Sequence, residues 1–283
     1  MNIHEEEINE YYSIILFICS IFLVLSTVIG FIEYIEGWQF TSKFYTGHVF
    51  YGADERSSLV IKTAAHHVRA FGVVGDSAKY GFYVLISFCI LNCKNTSLRK
   101  IIAVFIICFI NTIFTTNKTS MVILLILLVY FLIVKMRIKN IFALVGIIAF
   151  AGALIIFNSP EKFQSIAERL YMWKSGKLFS IRNMAIGFDL YHYFGHPELW
   201  FNILDNTYLF GMAAFGMVSY ILILIYLIRI SFNKTMLSNS LLLIFLIGGI
   251  TTNLFSARSF FPVFCFICGL FLRSKKNNIL NRG

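Results

Sequence analysis

The run YSIILFICSIFLVLSTVIGFIEY, Tyr12–Tyr34, decides the fold. It contains no proline and is apolar over more than the roughly 20 residues that a helix needs to cross the hydrocarbon core of a bilayer. Four glutamates precede it (Glu5, Glu6, Glu7 and Glu10), where a cleavable secretion signal would carry basic residues. It therefore reads as a membrane span retained in the mature chain.

The rest of the chain has the same character. Of 283 residues, 58% are hydrophobic and 13% are charged, with 31 Phe and only 3 Pro. Soluble domains carry about 25% charged residues. A soluble fold of this size could not hide so much apolar surface, because over half of its residues would need core positions. Disorder, collagen-like repeats and disulfide scaffolds are excluded on the same grounds. The length and apolarity criterion gives about eight spans. They run over Tyr12–Tyr34, Ala78–Cys93, Ile101–Thr115, Thr119–Val134, Ile141–Phe157, Thr207–Ile228, Leu241–Leu254 and Phe260–Leu272. The alternating ten-residue strands of an outer-membrane barrel are not seen. The expected architecture is an all-α polytopic membrane helix bundle, residues 1–283 forming a single integral membrane domain.

Sidedness follows from Lys and Arg in the short loops. Lys94, Arg99 and Lys100 lie between spans two and three, and Lys135, Arg137 and Lys139 between four and five. Arg229 and Lys234 follow span six, and Arg273, Lys275, Lys276 and Arg282 follow span eight. None of these loops contains Asp or Glu. They are expected on the cytoplasmic side, with both termini, in a bacterial cytoplasmic (inner) membrane. Twelve of the 24 basic residues and four of the 14 acids then lie inside, so +8 of the formal +10 is internal. The basic balance thus marks membrane insertion and gives no reason to expect a nucleic-acid partner.

Two external loops are long, about 35–77 and 158–206, and loops beyond ~15 residues usually carry function or are disordered. The second reads as structured. Phe163, Ile166, Ala167, Leu170 and Trp173 recur at helical spacing, and Leu178 to Phe188 forms another short amphipathic stretch. A helix sealing the bundle at the membrane surface would show the same pattern.

The chain holds no P-loop, dinucleotide-binding glycines, nucleophile elbow or zinc-protease motif. Its six Cys (Cys19, Cys89, Cys93, Cys108, Cys265 and Cys268) fall in or beside apolar runs and read as small packing residues. Neither a metal site nor a cofactor is expected. The polar inventory of the external side is richer. It holds His48, His66, His67, His192 and His196, ten acids, and Arg69, Arg169, Arg182, Arg258 and Lys118. Any one of these reads most simply as a solvated loop charge, but together they suit an outward-facing anion site.

Three segments sharpen this. The first is Arg69-Ala-Phe-Gly-Val-Val-Gly-Asp76, shortly before Lys79-Tyr80-Gly81. The second is the short external turn Thr115-Thr116-Asn117-Lys118-Thr119-Ser120. The third runs from Arg182 through Asp205-Asn206-Thr207-Tyr208-Leu209 to Gly216-Met-Val-Ser-Tyr220. It puts a carboxylate at the lipid–water boundary, with Gly211 and Gly216 below it permitting close helix packing.

On these segments, from roughly Arg69 to Leu272, the chain resembles the O-antigen ligase and polymerase superfamily of bacterial surface-polysaccharide enzymes. That family has an Arg-x-x-Gly-like segment before a span and a Thr-x-Ser-Arg-like turn between later spans. Its large external loop contains spaced Arg residues and ends in a His-Asn or Asp-Asn pair with a downstream Gly. Here Asp205 stands where ligases carry His, which points to a repeat-unit polymerase. Lys118 stands where Arg is commoner, and the position eleven after Arg182 is Tyr193, with Gly195 two residues later, so the polymerases' Arg-to-Gly spacing is not matched. The family usually has more spans, so the resemblance implies a chain short at its N-terminal end.

The resemblance implies polymerisation of undecaprenyl-pyrophosphate-linked repeat units into O-antigen, capsular or exopolysaccharide at the outer face of the membrane, without a metal. Arg69 and Arg182 are then expected to stabilise the departing pyrophosphate, with Arg169, Lys118 and Arg258 in support. Asp205, or one of His192 and His196, would take the proton of the acceptor hydroxyl. Asn206 and Tyr208 join the expected substrate-binding residues. Trp173, Tyr191, Tyr193 and Trp200 could stack on sugars, although interfacial anchoring is the simpler reading of any single one. Expected partners are the lipid-linked glycan, membrane lipid, a chain-length regulator and a flippase. The alternatives are an O-antigen ligase and a transporter or flippase for lipid-linked glycans. Transporters usually place ionisable groups near the bilayer midplane, and mid-span positions are expected to hold only Asn111 and a few Ser or Thr.

Overall fold

The computed structural model describes residues 5–36, 70, 77–93, 97–115, 117–136, 208, 211–212, 215–231 and 236–251. Among them every regular element is an α-helix: α1 (Glu5–Glu36), α2 (Ser77–Asn92), α3 (Leu98–Thr115), α4 (Lys118–Met136), α5 (Met217–Ser231) and α6 (Met236–Thr251). Six of the expected spans are recognisable in them. Three helical stretches are long and apolar enough to cross a membrane: Tyr11–Ile35, Leu98–Thr115 and Lys118–Lys135. Shorter apolar stretches occupy Lys79–Asn92, Met217–Arg229 and Met236–Gly249. The described residues therefore hold three full-length candidate spans and not eight. The runs Ile141–Phe157 and Phe260–Leu272, and the loop 158–206, lie outside the described residues.

The chain separates into two compact units, Met1–Phe131 with Gly283 and Leu132–Arg282. In the first, α1, α2 and α3 pack on one another. Exposure along α1 is sharply one-sided. Tyr12, Cys19, Leu23, Ser26, Gly30 and Glu33 are buried, at successive spacings of seven, four, three, four and three residues. That is a narrow seam one residue wide, with the small residues Cys19, Ser26 and Gly30 allowing neighbouring helices close approach. At Gly30 an added methyl would lie 3.1 Å from both the Phe114 ring and the Tyr80 hydroxyl. The other face carries Ile14, Phe17, Ile21, Val24, Val28, Phe31 and Ile35, all between 41% and 65% exposed. Large apolar groups outward and small or polar groups inward invert the arrangement of a water-soluble helix, as lipid solvation requires.

Helix α2 is the centre of this unit. From Tyr80 to Asn92 only Tyr83 escapes full burial. At 16 residues it spans about 24 Å, which suffices for a helix walled in by others. Phe88 meets Phe105 of α3 and Phe131 of α4 edge-on, with ring centroids 6.5 and 5.4 Å away. The helix starts are locally specified. Ser97 caps α3, accepting from the Lys100 amide at 3.4 Å, and Asn117 caps α4, accepting from the Ser120 amide at 3.2 Å.

In the second unit, α5 packs on α6. The expected span Thr207–Ile228 is not one helix. Gly216 adopts φ 79°, and its amide donates to Met212 O at 3.0 Å, closing the preceding turn. Its own carbonyl accepts from the Tyr220 amide at 2.9 Å, opening α5. One residue thus ends a turn of helix as a left-handed cap and begins the next helix. Gly216 therefore breaks the helix and does not serve as a packing notch. Gly211 does permit close packing, because a methyl there would run into the Tyr220 ring.

The candidate site at the α2 and α4 helix starts

Four helix ends meet at one end of the first unit, where α1 and α3 finish and α2 and α4 begin. The amide of Ala70 donates to Phe114 O at 2.9 Å, and Ala70 is fully buried. The residue next to Arg69 is therefore anchored on the last turn of α3. Thr115, the residue after Phe114, starts the segment that leads into α4. The Thr115 hydroxyl donates to Thr112 O at 2.9 Å and accepts from the Asn117 amide at 3.2 Å, which shapes the turn. Gly81 of α2 lies directly against α4: a methyl there would sit 3.0 Å from Ser120 Cβ and 3.2 Å from Asn117 Nδ2. Two of the three segments singled out in the sequence are thus brought together, Ala70 and Lys79–Gly81 from the first and Asn117–Ser120 from the second.

Lys118 is the first residue of α4 and is half-buried. Lys79 is the third residue of α2 and is also half-buried. Neither helix has an acidic residue in its first turn. Cations there oppose the helix dipole, by about 0.3–1 kcal/mol each near a surface. The Ser120 side chain is fully buried, and its hydroxyl has no hydrogen-bond partner.

Deeper in the bundle a polar cluster ties three helices together. The Tyr80 hydroxyl donates to Ser26 O at 2.7 Å and lies against Asn111 Oδ1, its single proton serving both acceptors. Asn111 Nδ2 donates to Thr27 Oγ1 at 2.7 Å and to Ile107 O at 2.8 Å. The Thr27 hydroxyl in turn donates to Leu23 O at 2.6 Å. Asn111 was the mid-span polar residue that the sequence exposed, and it is the hub of the cluster. At the opposite end the Tyr12 hydroxyl donates to Ile90 O at 3.1 Å and lies 2.9 Å from Cys93 Sγ, fastening α1 to α2. Cys19, Cys89, Cys93 and Cys108 form no disulfide and are buried or half-buried, in keeping with a packing role. Cys265 and Cys268 lie outside the described residues.

Two observations add to the sequence reading. Glu33 is 1% exposed and sits inside the first candidate span, on the α1 seam two turns beyond Ser26. The expected span Tyr12–Tyr34 already includes it near its end, and what the structure adds is its burial. The signal was present, since Glu33 continues the spacing of Ser26 and Gly30, but its nearness to the span end hid it. Tyr208, expected to bind substrate, is occupied structurally. Its hydroxyl donates to Leu246 O of α6, and its ring meets Tyr220 edge-on at 6.4 Å. Arg69, Arg169, Arg182, His192, His196, Asp205, Asn206 and Arg258 lie outside the described residues. Among the described residues, no three His, Cys, Asp or Glu gather as metal ligands would. No protein-family model, curated protein or solved structure matches the chain.

Proposed function

We propose that the protein is a membrane-embedded polysaccharide polymerase. It lengthens a glycan carried on undecaprenyl pyrophosphate at the outer face of the bacterial cytoplasmic membrane. The supporting observation is the anchoring of Ala70, the chain neighbour of Arg69, on the end of α3. Eight spans, cytoplasmic termini and an outward-facing Lys118 end belong to the same proposal and rest on the distribution of Lys and Arg.

In the proposed reaction an acceptor hydroxyl oxygen forms a bond to the anomeric carbon while the bond from that carbon to pyrophosphate breaks. Negative charge grows on the leaving pyrophosphate and must meet fixed donors. Arg69 and Arg182 take that role, with Lys118, Arg169 and Arg258 beside them. The hydroxyl proton passes to Asp205, or to His192 or His196, late in the transfer. The apolar bundle holds the polyprenyl tail. Arg69→Ala or Arg182→Ala, in a strain lacking the native gene, should abolish long polysaccharide while the variant still inserts. Full-length polymer would sink the assignment. Asp205→Asn should likewise stop polymerisation, and retained activity would move the base to a histidine.

Buried Glu33 favours a second reading, a transporter of lipid-linked glycans or small solutes, because ionisable groups within spans commonly mark transport pathways. Purified protein given lipid-linked repeat units separates the two. A polymerase lengthens the glycan without other enzymes, whereas a transporter moves it across a vesicle unchanged. Glu33→Gln would impair the second activity first.

A further inference from the structure

We propose that the exposed face of α3, from Arg99 to Ile113, is a seat for an anionic phospholipid of the surrounding bilayer. Arg99 and Lys100 hold its phosphate, and one acyl chain lies along the apolar row beneath them. The inference stands apart from the polymerase reading and needs only that α3 crosses the membrane.

The sequence of α3 sets a cation at the head of that row. Arg99, Ala103, Ile106, Ile110 and Ile113 follow one another at spacings of four, three, four and three, so they share one face of the helix. All five are exposed. From Ala103 to Ile113 the row is about 15 Å long, the depth of one leaflet of a roughly 30 Å hydrocarbon core. Helical side chains lean towards the N-terminus, so Arg99 reaches away from the row to the level of the phosphates.

The row also has a shape. Ala103 is its smallest member and leaves a shallow recess one turn below Arg99, where the glycerol of a phospholipid fits. Phe105 and Phe109 stack along one edge with ring centroids 5.7 Å apart, and Phe105 is held in turn by Phe88 of α2. That edge is fixed, and an acyl chain can pack against it.

The charge at this end is uncompensated. Neither the first turn of α3 nor the chain from Cys93 to Ile102 holds an acidic residue. Arg99 and Lys100 are exposed, and among the described residues neither has an ion-pair partner. The glutamates of α1 begin at this end too, since Tyr12 bonds to Ile90 O at the end of α2. Arg99, however, lies about 120° around α3 from Asn111, the residue that bonds to α1. Ser97 already takes the Lys100 amide, so side chains and not backbone meet the phosphate. Membrane insertion explains why this loop is basic, but not why a cation heads an exposed apolar row.

The test places p-benzoylphenylalanine, a photocrosslinking residue, at Ile110 of the otherwise unaltered full-length protein. The vesicles are phosphatidylcholine with a minor share of phosphatidylglycerol, and intact mass after irradiation identifies the lipid attached. Phosphatidylglycerol adducts should exceed their bulk share about fivefold or more, the effect of at least one cation near the surface. Arg99→Gln should cut that enrichment about fivefold, and the further change Lys100→Gln should bring it to the bulk share. The same probe at Val24, on the exposed face of α1, should report the bulk share throughout. If replacement at Ile110 prevents insertion, the probe at Ile106, on the same row, decides. Bulk-share adducts on the row overturn the proposal, as does enrichment that survives loss of both cations or that is equal at Val24. Crosslinking to a protein in place of lipid overturns it too, since the face is then covered by another chain.

Discussion

Replacing Asn111 tests whether the polar cluster holds α1, α2 and α3 together. Its amide makes two contacts between helices, one to Thr27 on α1 and one with Tyr80 on α2, and a third to Ile107 within α3. In bilayers such interhelical hydrogen bonds are worth about 0.6 kcal/mol on average and about 1.7 at most. Asn111→Ala should therefore cost about 1–3 kcal/mol through the two interhelical bonds, before any loss from the cavity it leaves. Thr27→Val keeps the shape and removes the acceptor of that interhelical bond along with the hydroxyl's own bond to Leu23 O, and the interhelical part should cost about 0.6–1.7 kcal/mol. The double variant should show a coupling of similar size, because Asn111 and Thr27 share one bond. Ser26→Ala is the counter-experiment on the neighbouring residue. Its hydroxyl has no partner, so its removal should be neutral or stabilising. Reversible unfolding in mixed micelles with increasing dodecyl sulfate, followed by circular dichroism, supplies the free energies. A coupling below about 0.3 kcal/mol, within the additivity of independent sites, would refute the argument. So would a Ser26→Ala loss as large as that of Asn111→Ala.

Other outcomes follow from particular contacts. Gly216→Ala places a side chain at φ 79° and should lower stability by about 1–2 kcal/mol, measured by the same unfolding. Gly211→Ala should lower the melting temperature by driving a methyl into the Tyr220 ring, and Tyr220→Leu should restore part of the loss. Unchanged stability in either glycine variant would contradict the backbone described. For sidedness, Thr119→Cys should react with a membrane-impermeant maleimide added to intact spheroplasts, and Arg99→Cys only after permeabilisation. The reverse pattern would overturn the orientation drawn from the basic loops.

Much of the helical content was legible because span length and apolarity are strong, local signals. α1, α3 and α4 fall where Tyr12–Tyr34, Ile101–Thr115 and Thr119–Val134 were expected, extended at their ends by capping turns. The run around Thr207–Ile228 was misread as continuous, since apolarity persists through Gly216 while the backbone does not. An isolated glycine in an apolar run looks the same whether it packs or breaks a helix, and only its φ distinguishes them. In the candidate site, Lys118 and the turn before it were legible as polar residues between two spans. Glu33 was not, because a carboxylate near a span end reads as interfacial until its face is known. The helix contact of Tyr208 was not legible, because sequence cannot tell a tyrosine that meets a substrate from one whose hydroxyl meets a neighbouring helix.

The left-handed residue at Gly216 also has an effect on how the chain can vary. In an unbroken helix every residue added or lost rotates all that follows by about 100°. An insertion on the loop side of a continuous span would thus swing Ile221, Leu222 and Ile225 away from lipid. At Gly216 the winding restarts, so the azimuth of α5 is set by its contact with α6 and by the packing of Tyr208 and Gly211 on Tyr220. A change of chain length before Tyr208 is therefore not transmitted as a rotation of the helix that follows. Gly216 acts as a phase reset, separating the winding of α5 from that of the turn before it.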